Sequence, residues 1–305
     1  MTGPRATQLN QNTYILGGDM AHTSDHYYVP HGSHWPIVAS VALTVGVVGA
    51  ANWFNGNASG QMILFLGLAL VVFMMFGWFG TVINEGLKGV YNEQVDRSFR
   101  QGMMWFIFSE VMFFAAFFGA LFYARALVSP WLLGGDFSTH EYLWKNYGES
   151  WPTNGPGNVG GDFSTMGAWG IPAINTLLLL TSGVTITLSH WALKANDQKK
   201  TVLWLVATVL LGMIFLGFQA YEYVHAYHEL NLTLGSGIYG STFYMLTGFH
   251  GMHVTIGTIM LIVITLRAAR GHFTPDHHFA FEGVAWYWHF VDVVWLGLFI
   301  FVYVL

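Results

Sequence analysis

Seven apolar stretches, at 36–54, 61–83, 103–127, 170–193, 202–225, 239–266 and 284–305, are each about as long as a bilayer is thick. Hydrocarbon offers backbone N–H and C=O groups no partner, so such stretches must satisfy themselves as helices. Only 9% of the 305 residues are charged and 54% are hydrophobic, whereas a soluble domain carries about 25% charged residues. The 36 glycines suit helices that approach closely. The chain therefore reads as an all-α membrane protein with seven transmembrane helices. The first stretch is short and the sixth long, so tilt varies. The glycines of 239–266 leave open whether that helix is continuous.

Charge placement sets the orientation. An odd number of spans puts the tail and the segments 84–102, 194–201 and 267–283 on one side. That side holds Arg5, Lys88, Arg97, Arg100, Lys194, Lys199, Lys200, Arg267 and Arg270, against Arg125 and Lys145 on the other. The positive-inside rule then makes the N-terminus cytoplasmic and the C-terminus external. Residues 1–35 are polar and His-rich with no apolar run behind a basic start, so they read as an uncleaved cytoplasmic tail. Residues 36–101 hold the first two helices and a cytoplasmic loop. Residues 102–305 hold the other five, with an external loop at 128–169. GGDFST occurs at 134–139 and again at 160–165 in or beside that loop, a match too short to be a structural repeat.

The chain has no cysteine. That excludes disulfides, thiolate zinc, iron–sulfur clusters and cysteine-ligated copper. A net charge of −5 identifies no partner, and no nucleic acid is expected.

The polar groups inside the spans are few. Glu110, in WFIFSEVMFFAAFF (105–118), lies about 10 Å from the cytoplasmic end of its helix, counting from Met103. Phe113, Phe114 and Phe117 follow it at i+3, i+4 and i+7 and favour the uncharged acid. An acid in hydrocarbon costs on the order of 3 kcal/mol. Two readings fit: a carboxyl hydrogen-bonded to a neighbouring helix, or one that exchanges a proton in function. His250 and His253 share a face of 239–266, beside Thr247, Gly251 and Thr255. Bis-His haem would need a ligand from a facing helix, and hydrogen bonding inside the bundle is preferred.

FEGVAWYWHFVDVVWL (281–296) sets Glu282 and His289 on one face with Asp292 a turn further. These residues, with His250, read as a structural polar network. His190, Glu222 and His225 fall near helix ends, where polar groups snorkel cheaply to water. Glu85, Lys88, Arg267, Arg270 and His272 lie at the cytoplasmic boundary. Basic residues there either set topology or hold lipid phosphate.

Four segments, IFSEVMFFAAFF, INTLLLLTSGVTITLSHWAL, GIYGSTFYMLTGFHGMHVTIGT and HHFAFEGVAWYWHFVDVVWLGLFIFVY, closely resemble subunit III of cytochrome c oxidase. The resemblance to this haem–copper oxidase family runs in order from Pro36 to the C-terminus. It implies two helix groups, the first two and the last five, flanking a V-shaped cleft that holds phospholipid. It implies no metal in this chain, with haem a and copper carried by partner subunits. Subunit I would be the main contact, near its proton-uptake route, with subunit II in the same complex. Cytochrome c would be reached only through that complex.

Among site residues, the resemblance makes Glu110 the family's intramembrane acid. It sets Glu85, His253 and Arg267 round a lipid head group, with Trp78 at the matching aromatic position. Many members carry an Arg-rich stretch before Glu85, where this chain reads WFGTVINEG with Gly80, Thr81 and Asn84. The head-group contact is open there. The external loop exceeds that of mitochondrial members and points to a bacterial cytoplasmic membrane, with the C-terminus periplasmic.

Other functions fit less well. A proton-linked transporter built on Glu110 would need a polar path through several helices. A catalytic haem–copper subunit would need more helices and paired histidines within the membrane, whereas His277–His278 falls in a cytoplasmic loop. The nearest alternative is subunit III of a quinol oxidase or nitric oxide reductase. Two spans ahead of the SEV helix favour the cytochrome c type.

Overall fold

The computed structural model describes residues 32–305, and all regular structure among them is helical. The helices are α1 (Trp35–Phe54), α2 (Ala58–Leu87), α3 (Glu93–Phe122), α4 (Ile171–Lys194), α5 (Gln198–Glu229), α6 (Gly237–Ala269) and α7 (Phe279–Leu298). Among the described residues, seven spans are long and apolar enough to cross a membrane. Each matches one of the apolar stretches, and α6 is unbroken despite its glycines. The 1–35 tail falls largely outside the described residues.

Two elements differ from the sequence reading. α3 starts ten residues before Met103, because its polar first turns complete helical hydrogen bonds outside the apolar stretch. It also runs on through wider, π-type turns at Tyr123–Val128 and Trp131–Gly135, with another at Thr139–Leu143. The expected loop at 128–169 is therefore helical in its first part.

The residues fall into two compact units, one ending at Val95 and the other beginning at Asp96. In the first, α1 and α2 pack as a hairpin through glycines. A methyl group at Gly49 would come within 2.2 Å of the Leu64 backbone, one at Gly60 within 2.2 Å of Trp53, and one at Gly67 within 2.4 Å of Gly46. Where lipid tails are as apolar as leucine, such backbone approach supplies the dispersion contact that joins helices. The Trp35 indole lies across Gly77 and donates to Thr81 Oγ1 at 3.1 Å.

In the second unit α4, α5, α6 and α7 close a ring, α4 meeting both α5 and α7 while α6 bridges α5 and α7. Trp288 of α7 fills its centre, fully buried. Its indole N–H donates to Ser182 Oγ of α4 at 2.8 Å, and the ring packs on Gly212 of α5 and Gly257 of α6. Nearly two turns along α7, Trp295 donates to Thr176 Oγ1 at 2.9 Å. Hydroxyls tie the other seams: Thr185 to Thr208 at 2.8 Å and Tyr223 to Thr247 at 2.7 Å. α3 joins α6 and α7 through larger side chains, as in Phe113 on Phe249 and Phe114 on Phe290.

The α4–α5 turn is closed by Asp197, whose carboxylate accepts from the Lys200 backbone N–H at 3.1 Å. That bond, then the Lys200 side chain, holds Asp197 below the usual carboxylate range. A depressed carboxylate contributes stability above its unfolded titration range and loses it as pH falls through the folded value. The segment before α4 is pinned to the α5–α6 turn: Ser164 N–H donates to Leu230 O at 2.9 Å, and Asn231 donates to Gly160 O and Asp162 O. The two GGDFST copies differ in structure. In the first, Asp136 accepts from the Thr139 backbone at the mouth of a helical turn, while the second lies along the α5–α6 turn.

Candidate functional site

The acid that stood out in the sequence meets a histidine. Glu110 on α3 lies 2.9 Å (Oε2 to Nε2) from His253, the middle residue of α6. Rings of Phe114, Phe113, Tyr287 and Phe290 surround the imidazole at centroid distances of 5.0 to 6.3 Å. His253 Nδ1 lies 2.6 Å from the Phe249 carbonyl. A carbonyl only accepts, so Nδ1 must carry a proton, and the second nitrogen is defined by what Glu110 provides. One proton bridges the pair, as a carboxylic acid donating to neutral imidazole or as imidazolium donating to carboxylate. Either way the pair is neutral overall, which is how an acid persists among phenyl rings.

The expected lipid set does not converge within the second unit. His253 and Arg267 are fourteen residues apart on α6, about 21 Å along its axis, so one head group cannot reach both. His253 turns inward to Glu110. Arg267 is half-buried with its guanidinium 4.6 Å over the Phe273 ring and its Nε without a partner. Among the described residues no carboxylate pairs with it. Trp78 and Glu85 belong to the first unit, where Trp78 is exposed and Glu85 accepts from Tyr91 Oη at 2.7 Å.

The expected network of His250, Glu282, His289 and Asp292 is instead three separate sites. Glu282, in the first turn of α7, pairs with Arg100 of α3, which also holds Asp96 at 2.7 Å. His190 of α4 and His278 lie 3.5 and 3.3 Å from the other Glu282 oxygen. His278 donates its Nδ1 proton to the Thr274 carbonyl at 3.0 Å and meets His190 at 3.2 Å. The ligand atoms of His190, His278 and Glu282 lie within 4.8 Å of one another and could hold a small cation, although Arg100 competes for the carboxylate. His289 stands 3.8 Å from Asp292 on the α4 side of α7. His250, fully enclosed, faces the Val291 carbonyl at 3.2 Å.

Glu222 does not snorkel. It is 1% exposed and accepts from Tyr303 Oη at 2.6 Å, with buried Gln219 one turn away. The signal was present in α5, where Thr201, Leu205, Thr208, Gly212, Phe215, Gln219, Glu222 and Ala226 alternate steps of four and three along the buried stripe.

A family profile described as cytochrome c oxidase subunit III matches residues 25–305. The chain is 41% identical over 278 residues to a cytochrome c oxidase subunit 3 of Marchantia polymorpha, covering 91% of this chain and 95% of that protein. It is 39% identical over 285 residues to the protein of the same name from Danio rerio, covering 93% and 98%. The chain belongs to the cytochrome c oxidase subunit III family.

Proposed function

We propose that this chain is the non-redox accessory subunit of a cytochrome c oxidase. In this role it stabilises the catalytic subunit, retains phospholipid and supports proton uptake. Family membership supports its place in an oxidase complex with other subunits. The main contact in this reading is subunit I, with subunit II in the same complex, in a bacterial cytoplasmic membrane with the N-terminus inside. Nine cationic residues against two support that orientation. The observation that carries the proton-linked part is the Glu110–His253 pair: its one bridging proton keeps the pair neutral, lending that proton leaves a carboxylate beside neutral imidazole, and the cost of that charge in the membrane favours its return.

The test is isolation of the tagged chain from membranes in mild detergent. Haem a, copper and cytochrome c oxidation in the same preparation are the expected result. A preparation that oxidises only quinol would replace this reading with the quinol-oxidase one.

Arg267 supports the lipid part, because phosphate would supply the partner that its half-buried guanidinium lacks. Arg267→Ala is expected to lower retained phospholipid in native mass spectra, through loss of about 1 kcal/mol of attraction. Equal lipid occupancy in mutant and wild type would leave Arg267 with a topological role only.

A further inference from the structure

On the α4–α7 face of the second unit, a groove of roughly 470 Å³ is lined by Leu180, Gly183, Val184, Thr187, His289 and Asp292, among others. His289 lies ten residues into α7, about 15 Å from its start, near the middle of the Phe279–Val304 span. Its side chain is 46% exposed there. Asp292 is 8% exposed, and its Oδ1 has no partner. Gly183 makes room for this carboxylate, since a methyl group in its place would come within 2.6 Å of Oδ2. Thr187 Oγ1 approaches His289 Nε2 at 3.4 Å but already donates to its own helix at Gly183 O.

A half-exposed imidazole is a costly surface for acyl chains, which offer it no hydrogen-bond partner at this depth, while the unpartnered Asp292 Oδ1 is itself enclosed. Head groups lie too far out to reach it. Only another protein segment supplies both a hydrogen-bond partner for His289 and the apolar surface that exposed Val184 and Val293 require. We infer that this groove docks a transmembrane helix of another oxidase subunit, one that presents a hydroxyl or amide group to His289. The inference rests on the reading of the chain as a subunit of an assembled oxidase. It adds which face is used and what the partner must bring.

The chain has no cysteine, so an introduced one is unique within it. Val293→Cys, on the exposed rim, is compared with Leu210→Cys, exposed on α5 away from the groove. Both are treated with a lipid-soluble maleimide, in the purified oxidase and in the chain separated from it. Labelling of Val293→Cys should fall roughly tenfold in the complex relative to the separated chain, since helix contact excludes lipid and probe together. Val184→Trp, whose side chain would project into the groove, should reduce the amount of chain that stays with the haem-bearing subunits.

Equal labelling of Val293→Cys in both preparations, with wild-type chain co-purifying normally, would overturn this inference alone. Protection already present in the separated chain would mean that the groove is covered from within, and would also overturn it. A cross-link between two copies of this chain at Val293→Cys would replace the partner helix with a second copy. Failure of the wild-type chain to co-purify with any haem protein would remove the functional reading and this inference together.

Discussion

Trp288→Ala is expected to destabilise the four-helix ring by about 3 kcal/mol or more, near the lower end of large core truncations. The indole touches three other helices at once: Ser182 of α4 accepts its N–H, while Gly212 and Gly257 leave the space its ring occupies. A methyl group at either glycine would come within 2.8 or 2.9 Å of the ring, so neither helix can close the gap without moving backbone. In a membrane the loss is mainly dispersion contact, because the unfolded helices remain in hydrocarbon rather than water. The removed side chain also leaves buried Ser182 without its donor. Trp288→Phe keeps an aromatic ring but loses the hydrogen bond, about 1 kcal/mol, together with part of the ring contact on Gly212 and Gly257. Thermal unfolding of the purified chain in detergent should rank wild type, Trp288→Phe and Trp288→Ala in that order. If Trp288→Ala melts with wild type, the ring is not held at Trp288.

The number, order and apolar extent of the helices were legible because hydrocarbon tolerates little else over twenty residues. Their ends were not. Hydropathy sees the segment inside the bilayer, whereas helical hydrogen bonds continue into polar turns such as Glu93–Gly102 and into the wider turns after Phe122. Glu110 was legible as an isolated acid, but its partner stands 143 residues away in sequence, and no local spacing reports that meeting.

Face periodicity misled at α7. Glu282 and His289 do share a face, seven residues being nearly two full turns, yet about 10 Å of axis separates them. Over that distance the neighbours change: Arg100, His190 and His278 surround the first, while Thr187 and Asp292 surround the second. Periodicity gives the direction of a side chain and says nothing of what stands opposite. For Glu222 the error was of another kind. Glu222 lies near the end of the apolar stretch, yet it also continues the buried stripe of α5, and the stripe decides its burial.

Glu110→Gln is expected to leave haem content of the assembled oxidase unchanged and to lower proton uptake or the number of turnovers before inactivation. The imidazole of His253 commits its Nδ1 proton to the Phe249 carbonyl, so its Nε2 needs a proton from Glu110 or shares one with it. The Gln amide N–H2 can donate to that nitrogen with nearly the same length and shape, which keeps the α3–α6 contact. What it cannot do is release the proton. Glu110→Leu, by contrast, removes the donor as well and strands His253 among Phe113, Phe114 and Phe290, at a cost of about 1–3 kcal/mol for an unsatisfied buried group. The two variants therefore separate roles. A structural acid predicts wild-type behaviour for Gln and loss of thermal stability for Leu. A proton-linked acid predicts that Gln retains stability yet shows faster inactivation or slower proton uptake. Turnover, proton uptake, inactivation rate and melting temperature, measured side by side in the assembled complex, decide between them. Four values matching wild type in Glu110→Gln would leave the pair as a neutral hydrogen bond between two helices, and the proton-linked role would fall.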